Sequence, residues 1–396
     1  MAPIEINLPM SFGLAAAAWL LGALCLRLVP RLGAWSLPTA IVGGTLVALI
    51  LLALRLGGGL EFHFDSSLNL HLMTLYLGAI GFEASLARLR QGGRLVWIFL
   101  ALCVLMMLGQ NLLGGLIAWA AGQPFLLGTL TGSAALTGGP ATALAFSSEF
   151  SAKGITDAAT WGLAGALGGI LLGGLLGGPL GTWLLRLLPP RPADAPVAAT
   201  AAAEASAEGF DSRQLLRHGL WLIAALLPGL LLHRLALHLG WNLPEFLPVM
   251  LVTCALRQID EKWRCFDFHP AIFDGLSRLC LNLFLCLALI TLDWNSLAQV
   301  SFLLPLILLA QAAFVLLCAR FLIFRFCGRD YEAAVMAAGM TGFMLGTTAN
   351  AMGNMQSLTR RYGPAPQACL IVPIVAACFV SFCNAWVIVL FLKLCP

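Results

Sequence analysis

Apolar residues run along this chain in long blocks, without the alternating or one-faced stripes of a water-soluble domain. Almost wholly apolar windows of about 20 residues match the hydrocarbon thickness of a bilayer. They predict five spans in the first half, near 10–29, 37–57, 68–87, 95–120 and 158–187. Five more are predicted in the second half, near 216–239, 243–259, 274–294, 301–325 and 366–392. Two further pieces, about 123–150 and 330–356, are apolar but interrupted, and rich in glycine and threonine. Each follows the fourth span of its half. Between the halves, "PPRPADAPVAATAAAEASAEGFDSRQ" (189–214) is polar, non-periodic and rich in proline and alanine, which predicts a flexible linker.

Composition agrees with this pattern. Of 396 residues, 60% are hydrophobic and 10% charged, against about 25% charged in a soluble domain. The chain reads as an all-α polytopic membrane protein. Its start, "MAPIEINLPMSFG", has no basic residue ahead of the first apolar run, so that run is expected to be a span and not a signal peptide. Twelve cysteines are scattered through apolar segments without a C-x-x-C pair, as small hydrophobes would be.

Charge placement sets an orientation. With the N-terminus outside, 18 of the 22 Lys and Arg fall on the inner side, and only Arg55, Lys153, Arg234 and Lys393 fall outside. The positive-inside bias therefore predicts both termini periplasmic and the linker cytoplasmic. The net charge of +4 gives no reason to expect a nucleic-acid partner. Five spans on each side of an inner linker give the halves opposite topologies, the arrangement of an inverted repeat. Two internal matches agree with it. "IGFEASLARL" (80–89) parallels "ITLDWNSLAQ" (290–299), and "GSAALTGGPATALAF" (from Gly132) parallels "GMTGFMLGTTANAMG" (from Gly339). The fourth spans carry Gln110 and Gln311.

The interrupted pieces carry the candidate chemistry. Consecutive glycines and a proline weaken a helix, and unpaired backbone at membrane depth is tolerated only where protein buries it or a wet cavity takes it. Paired interruptions in two inverted halves point to a transporter's binding site. Two re-entrant hairpins would bring helix N-termini to an anion, and carbonyl, Thr and Asn oxygens to Na⁺. The candidates for substrate binding are Thr137, Gly138, Gly139 and Thr142 in the first piece, and Gly342, Gly346, Thr347 and Thr348 in the second, with Asn350 and Asn354 beside them. By contrast, "LAGALGGILLGGLLGGPLG" (163–181) has no polar side chain but Thr-free glycine steps, and reads as a close-packing ladder. Glu83, an ionisable group in a span, is a coupling candidate or an interfacial acid facing Arg88 or Arg90. Gln110 and Asn111 read as interhelical glue or as ligands. An intramembrane enzyme is disfavoured, because no H-E-x-x-H or nucleophile–base motif occurs in a span. A channel is disfavoured by two unlike hairpins and a hinge.

"IGFEASLARLRQGGRLVWIFL", the Gln110–Asn111 pair, "GSAALTGGPAT", "RDYEAAVMAAGMTGFMLGTTANAMGNMQSLTRRYGPAPQA" and "IVPIVAACFVSFCNAWVI" together resemble the sodium/glutamate symporter (ESS) family. The resemblance implies a bacterial inner-membrane protein with halves at 1–188 and 215–396. It also implies an elevator-type symport of L-glutamate with Na⁺, and a homodimer. It places the family's first-hairpin motif on Thr137 to Thr142 and its second on Gly339 to Ala349, and adds Gln110, Asn111, Asn350, Asn354 and Asn384 as sodium candidates. Both hairpin histidines of the family are replaced here, by Pro140 and Met340, and a carboxylate near the last span by Ser381. These changes make the pocket more apolar, and keep another small organic anion or amino acid, or proton coupling, as the alternative.

Overall fold

The computed structural model describes residues 4–28, 39–58, 62–64, 67–91, 93–189, 212–239, 244–291 and 302–395. The linker expected at 189–214 falls outside them except for Pro189 and 212–214, and so do Asp293 and Asn295. The side chain of Arg88 is likewise not described.

In chain order, a short strand β1 (Ile4–Ile6) leads into α1 (Leu8–Leu28) and α2 (Thr39–Gly58). Strand β2 (Phe62–Phe64) follows, then α3 (Ser67–Glu83), the short α4 (Leu86–Gln91) and α5 (Gly93–Ala120). The first interrupted piece forms α6 (Phe125–Thr129), a wide π stretch (Leu130–Ala134), α7 (Gly139–Ala145) and α8 (Ser147–Ala152), ahead of α9 (Ala158–Leu185). The second half contains α10 (Ser212–His238), α11 (Phe246–Trp263), α12 (Pro270–Ile290) and α13 (Leu303–Cys318), which continues to Phe326. The second interrupted piece forms α14 (Tyr331–Leu345) and α15 (Thr348–Tyr362). The chain ends in α16 (Pro366–Ile374), a π stretch (Val375–Val380) and α17 (Ser381–Leu394).

Six helices among the described residues are long and apolar enough to cross a membrane: α1, α5, α9, α10, α12 and α13 with its continuation. The other four expected spans differ for local reasons. α2 is apolar over Thr39–Arg55, α3 has 17 residues, and α11 carries Arg257, Asp260, Glu261 and Lys262 near its C-terminal end. The last span contains Pro373 and continues through wide π turns, as a proline that removes a helical donor requires.

The helices sort into two packed groups, each drawn from both halves of the chain. In one, α3 packs on α11 and α12, α1 packs on α2, and α12 packs on α1 and α2. In the other, α9 packs on α7, α14 and α15, and α5 packs on α6, α13 and α17. A core of Phe99, Met106, Met107, Phe343 and Met344 fills the second group. A second core, with Phe146, Phe150, Phe246 and Phe284, joins the groups, and the Phe146 and Phe246 rings meet edge to face at 5.1 Å.

Both ends of the chain lie at one end of the bundle. Ile4–Ile6 pairs in parallel with Phe62–Phe64, just before α3 begins. Lys153, just before α9 begins, points its Nζ at the Cys395 carbonyl, 3.5 Å away. At the α11–α12 turn, one carboxylate holds three backbone donors: Asp260 accepts from the N–H groups of Phe266, Asp267 and Phe268.

Candidate functional site

Both interrupted pieces break, the first at Gly132 as well as at the expected Gly138–Pro140. In the first, Gly132 leaves the helical region (φ −90°, ψ −121°), and the chain widens so that Ala135 N–H reaches Leu130 O and Gly138 N–H reaches Ser133 O. Gly139, at φ +69°, then starts α7 in a backbone conformation that costs an L-residue about 1–2 kcal/mol. In the second piece, α14 stops at Leu345 and Gly346 is non-helical. Thr347 then caps α15, its Oγ1 accepting from Asn350 N–H at 3.4 Å. Ala351 N–H bonds the Thr347 carbonyl at 3.2 Å, which leaves the N–H groups of Thr348 and Ala349 ahead of the new helical ladder.

The two breaks touch. Thr137 Oγ1 donates to Gln110 Oε1 (2.8 Å) and lies 3.2 Å from the Met344 carbonyl. Gln110 Nε2 donates to that same carbonyl at 2.9 Å. One carbonyl of the second break is thus gripped by a side chain of the first break and by the fourth span. Gln311 Nε2 in turn donates to the Gln110 main-chain carbonyl at 2.6 Å, so the glutamines of the two fourth spans meet directly.

Next to this junction lies a second polar group, centred on Ser133. Its N–H donates to Asn111 Oδ1 (2.9 Å), and its carbonyl accepts from Asn384 Nδ2 (2.9 Å). Gln110, Asn111, Ser133 and Asn384 are all fully buried. Among the described residues, Ser133 Oγ, Asn384 Oδ1 and Asn111 Nδ2 have no hydrogen-bond partner. An unfilled buried polar atom costs about 1–3 kcal/mol, so three around one residue need a reason.

A third group forms on α9. Asn350 Nδ2 donates to Ile170 O (2.7 Å) and Asn354 Nδ2 to Gly173 O (2.9 Å), while Asn350 Oδ1 stays buried without a partner. The glycine ladder makes these reaches possible. A Cβ at Gly173 would lie 2.8 Å from Gly342 O, and one at Gly177 would overlap the Asn354 amide. Gly169 faces Leu136 of the first break and the Leu345 carbonyl of the second. The ladder is therefore a packing surface, as its sequence suggests, and also more: with no polar side chain, it offers main-chain carbonyls to both asparagines.

Of the residues singled out from sequence, Gln110, Asn111, Thr137 and Asn384 gather at the first break. Gly342, Gly346, Asn350 and Asn354 gather on α9, and Thr347 caps α15. Gly138, Gly139, Thr142 and Thr348 flank the two breaks. Glu83 is elsewhere: it ends α3, half-buried, beside a loop that Gln258 holds through Ala84 O (2.6 Å) and Leu86 N–H (3.3 Å). Sequence reasoning did not nominate Ser133, nor Gln311 as a site residue. A cavity of about 590 Å³ between the two helix groups was also not foreseen. Asn69 and Met73 of α3, Ala145 and Ser147 near α7, Thr160 of α9, and Thr291 line it, at the end of the bundle that holds both chain ends. Among the described residues no cluster of three His, Cys, Asp or Glu side chains could hold a metal ion.

This architecture, apolar spans around two broken segments that meet over buried polar groups, is that of a multi-pass membrane protein. The chain matches the sodium/glutamate symporter family over residues 4–364. It is 37% identical over 387 residues to the sodium/glutamate symporter of Escherichia coli (strain K12), covering 96% of each chain. It is 32% identical over 392 residues to the sodium/glutamate symporter of Haemophilus influenzae, covering 95% of this chain and 94% of that one. The protein belongs to the sodium/glutamate symporter family, a family of transporters and not of enzymes.

Proposed function

We propose that the protein is a secondary active transporter in a bacterial inner membrane that takes up L-glutamate with Na⁺, as a homodimer, by an elevator-type motion. The observation that carries this reading is the buried junction of the two breaks. There Thr137 and Gln110 hold the Met344 carbonyl, while Ser133 Oγ and Asn384 Oδ1 wait without partners nearby. Oxygen atoms of that kind suit a hard monovalent cation, by analogy with other hard cations. The N–H groups of Thr348 and Ala349 at the start of α15 suit a carboxylate.

The two helix groups support the elevator reading. One (α1–α3, α10–α12) carries no candidate but Glu83. The other (α5–α9, α13–α17) carries all the rest, and the 590 Å³ cavity lies between the groups. The Gln110–Gln311 contact supports the inverted repeat, since equivalent residues of two such halves approach each other near the axis that relates them. In this reading 123–150 and 330–356 are re-entrant hairpins.

Uptake of labelled glutamate into proteoliposomes tests the proposal. Accumulation should require an inward Na⁺ gradient and collapse when that gradient is dissipated; accumulation indifferent to Na⁺ would remove the coupling claim. Competition by aspartate, citrate and other small anions reports the cargo, and a citrate-dominated profile would replace glutamate by the alternative that Pro140 and Met340 leave open. The Ser133 hydroxyl offers a sharper check. Ser133→Ala vacates no described hydrogen bond, so folding should be unharmed or slightly improved. The Na⁺ concentration for half-maximal uptake should nevertheless rise roughly tenfold, the equivalent of about 1.4 kcal/mol. An unchanged Na⁺ dependence takes Ser133 out of the site.

A further inference from the structure

At the end of the bundle opposite the chain termini, Arg320, Arg325 and Arg329 converge on a cavity of about 420 Å³, with Leu187, Phe321 and Phe324 in its walls. A neighbouring cavity of about 660 Å³ shares Arg329 and adds Arg186. Two acids also line that second cavity, each accepting a backbone N–H: Asp330 Oδ1 caps α14 through Ala333 N–H (2.8 Å), and Glu332 Oε2 accepts from Ala368 N–H (2.8 Å). Among the described residues Arg320, Arg325 and Arg329 enter no ion pair.

The backbone departs from regular geometry to build this cluster. A π stretch at Ala319–Ile323 widens the end of the fourth span of the second half, a feature common at functional sites. The Arg320 guanidinium is 5.6 Å from the Trp183 ring centre and 5.4 Å from that of Phe324, so aromatic faces hold it in place. Arg329 follows Gly328 (φ +127°) and is itself left-handed at φ +55°. A non-glycine residue there is unfavourable, and what it achieves is a third guanidinium at the cavity.

Three guanidinium groups without an ion-pair partner among the described residues suit an anion, and the surroundings say of what kind. Leu306, Leu309, Leu317 and Phe321 are exposed large hydrophobes along α13 and its continuation, forming an apolar path that ends at the cavity. Basic pockets at the ends of spans bind phospholipid headgroups. We infer that this cavity holds the phosphate of an anionic phospholipid, with Arg320, Arg325 and Arg329 around the headgroup and acyl chains along the exposed face of α13. The inference does not depend on the transport reading.

Native mass spectrometry of the detergent-solubilised full chain, titrated with phosphatidylglycerol or phosphatidylcholine, tests it. The protein should retain phosphatidylglycerol in preference. R320Q/R329Q should weaken that retention roughly 30-fold, since each arginine near a membrane surface contributes about a fivefold factor. R360Q/R361Q, which removes the same charge from the end of α15, should retain it almost as well as the parent. If R320Q/R329Q does not fold, R325Q, an exposed side chain, should still show roughly a fivefold loss. Equal retention of the two lipids, or equal losses in the two double variants, would overturn the site. Displacement of the lipid by millimolar inorganic phosphate would overturn the lipid assignment in favour of a free anion.

Discussion

Combining Gln110→Leu with Thr137→Val is expected to abolish uptake, and to destabilise the protein by less than the sum of the two changes made singly. The Met344 carbonyl has two donors, Gln110 Nε2 at 2.9 Å and Thr137 Oγ1 at 3.2 Å. After Gln110→Leu, the Thr137 hydroxyl loses its 2.8 Å bond to Gln110 Oε1 and turns fully to that carbonyl. After Gln110→Leu the cost is therefore only net hydrogen bonds, about 0.5–1.5 kcal/mol. After Thr137→Val, Gln110 Nε2 keeps the Met344 carbonyl, but the buried Gln110 Oε1 loses its donor, and an unsatisfied group costs about 1–3 kcal/mol. With both changes that oxygen is gone and the Met344 carbonyl is the unsatisfied group instead, again about 1–3 kcal/mol, so the double variant costs less than the two single losses added together. The double-mutant cycle in thermal stability of the purified protein should show a coupling of about 1 kcal/mol or more. Uptake should be reduced in each single variant and absent in the double. Additive losses would mean that the two breaks do not depend on each other through Met344.

The parts of the structure legible in sequence are those set by local chemistry. Apolar length fixed where helices run, and two glycines with a proline marked where α7 had to start afresh. The break at Gly346 is legible for the same reason, whereas Thr347, a binding candidate in sequence, caps α15 in the structure. What sequence could not rank was the partner of each polar side chain in the interior. Gln110 could equally have been glue between two helices or a ligand; in the structure it binds both the Gln311 amide, through its main chain, and the opposite break, through its side chain. Ser133 was hidden because serine in a glycine- and alanine-rich helix looks like a small packing residue. Its distinction, a hydroxyl left without a partner while its backbone groups bind two asparagines, exists only in three dimensions. The α9 glycines form the close-packing surface that their spacing predicts, but a sequence cannot show that bare carbonyls at Ile170 and Gly173 become acceptors for side chains more than 170 residues away.

That surface makes the sign of a substitution change between adjacent residues. Gly177→Ala is expected to destabilise the protein strongly and to eliminate transport, while Gly178→Ala, one residue further along the same helix, leaves transport intact. A Cβ at Gly177 would collide with the Asn354 amide and lie 2.8 Å from the Ala338 carbonyl. The second of these is backbone and cannot swing aside. Inserting one methyl group into a packed interior costs about 1–3 kcal/mol, and here relief requires α9 to move off α14 and α15, taking Asn354 from Gly173 O and Asn350 from Ile170 O. At Gly178 a Cβ would meet only Ser357 Oγ, at 3.4 Å. Replacing a helical glycine by alanine there should stabilise by about 0.4–1 kcal/mol through the unfolded chain. Thermal unfolding of the two purified variants, with glutamate uptake by each, reads the difference. If Gly177→Ala is as stable and active as Gly178→Ala, then α9 does not press against the second broken segment. The Asn350 and Asn354 contacts would then not belong to the working site.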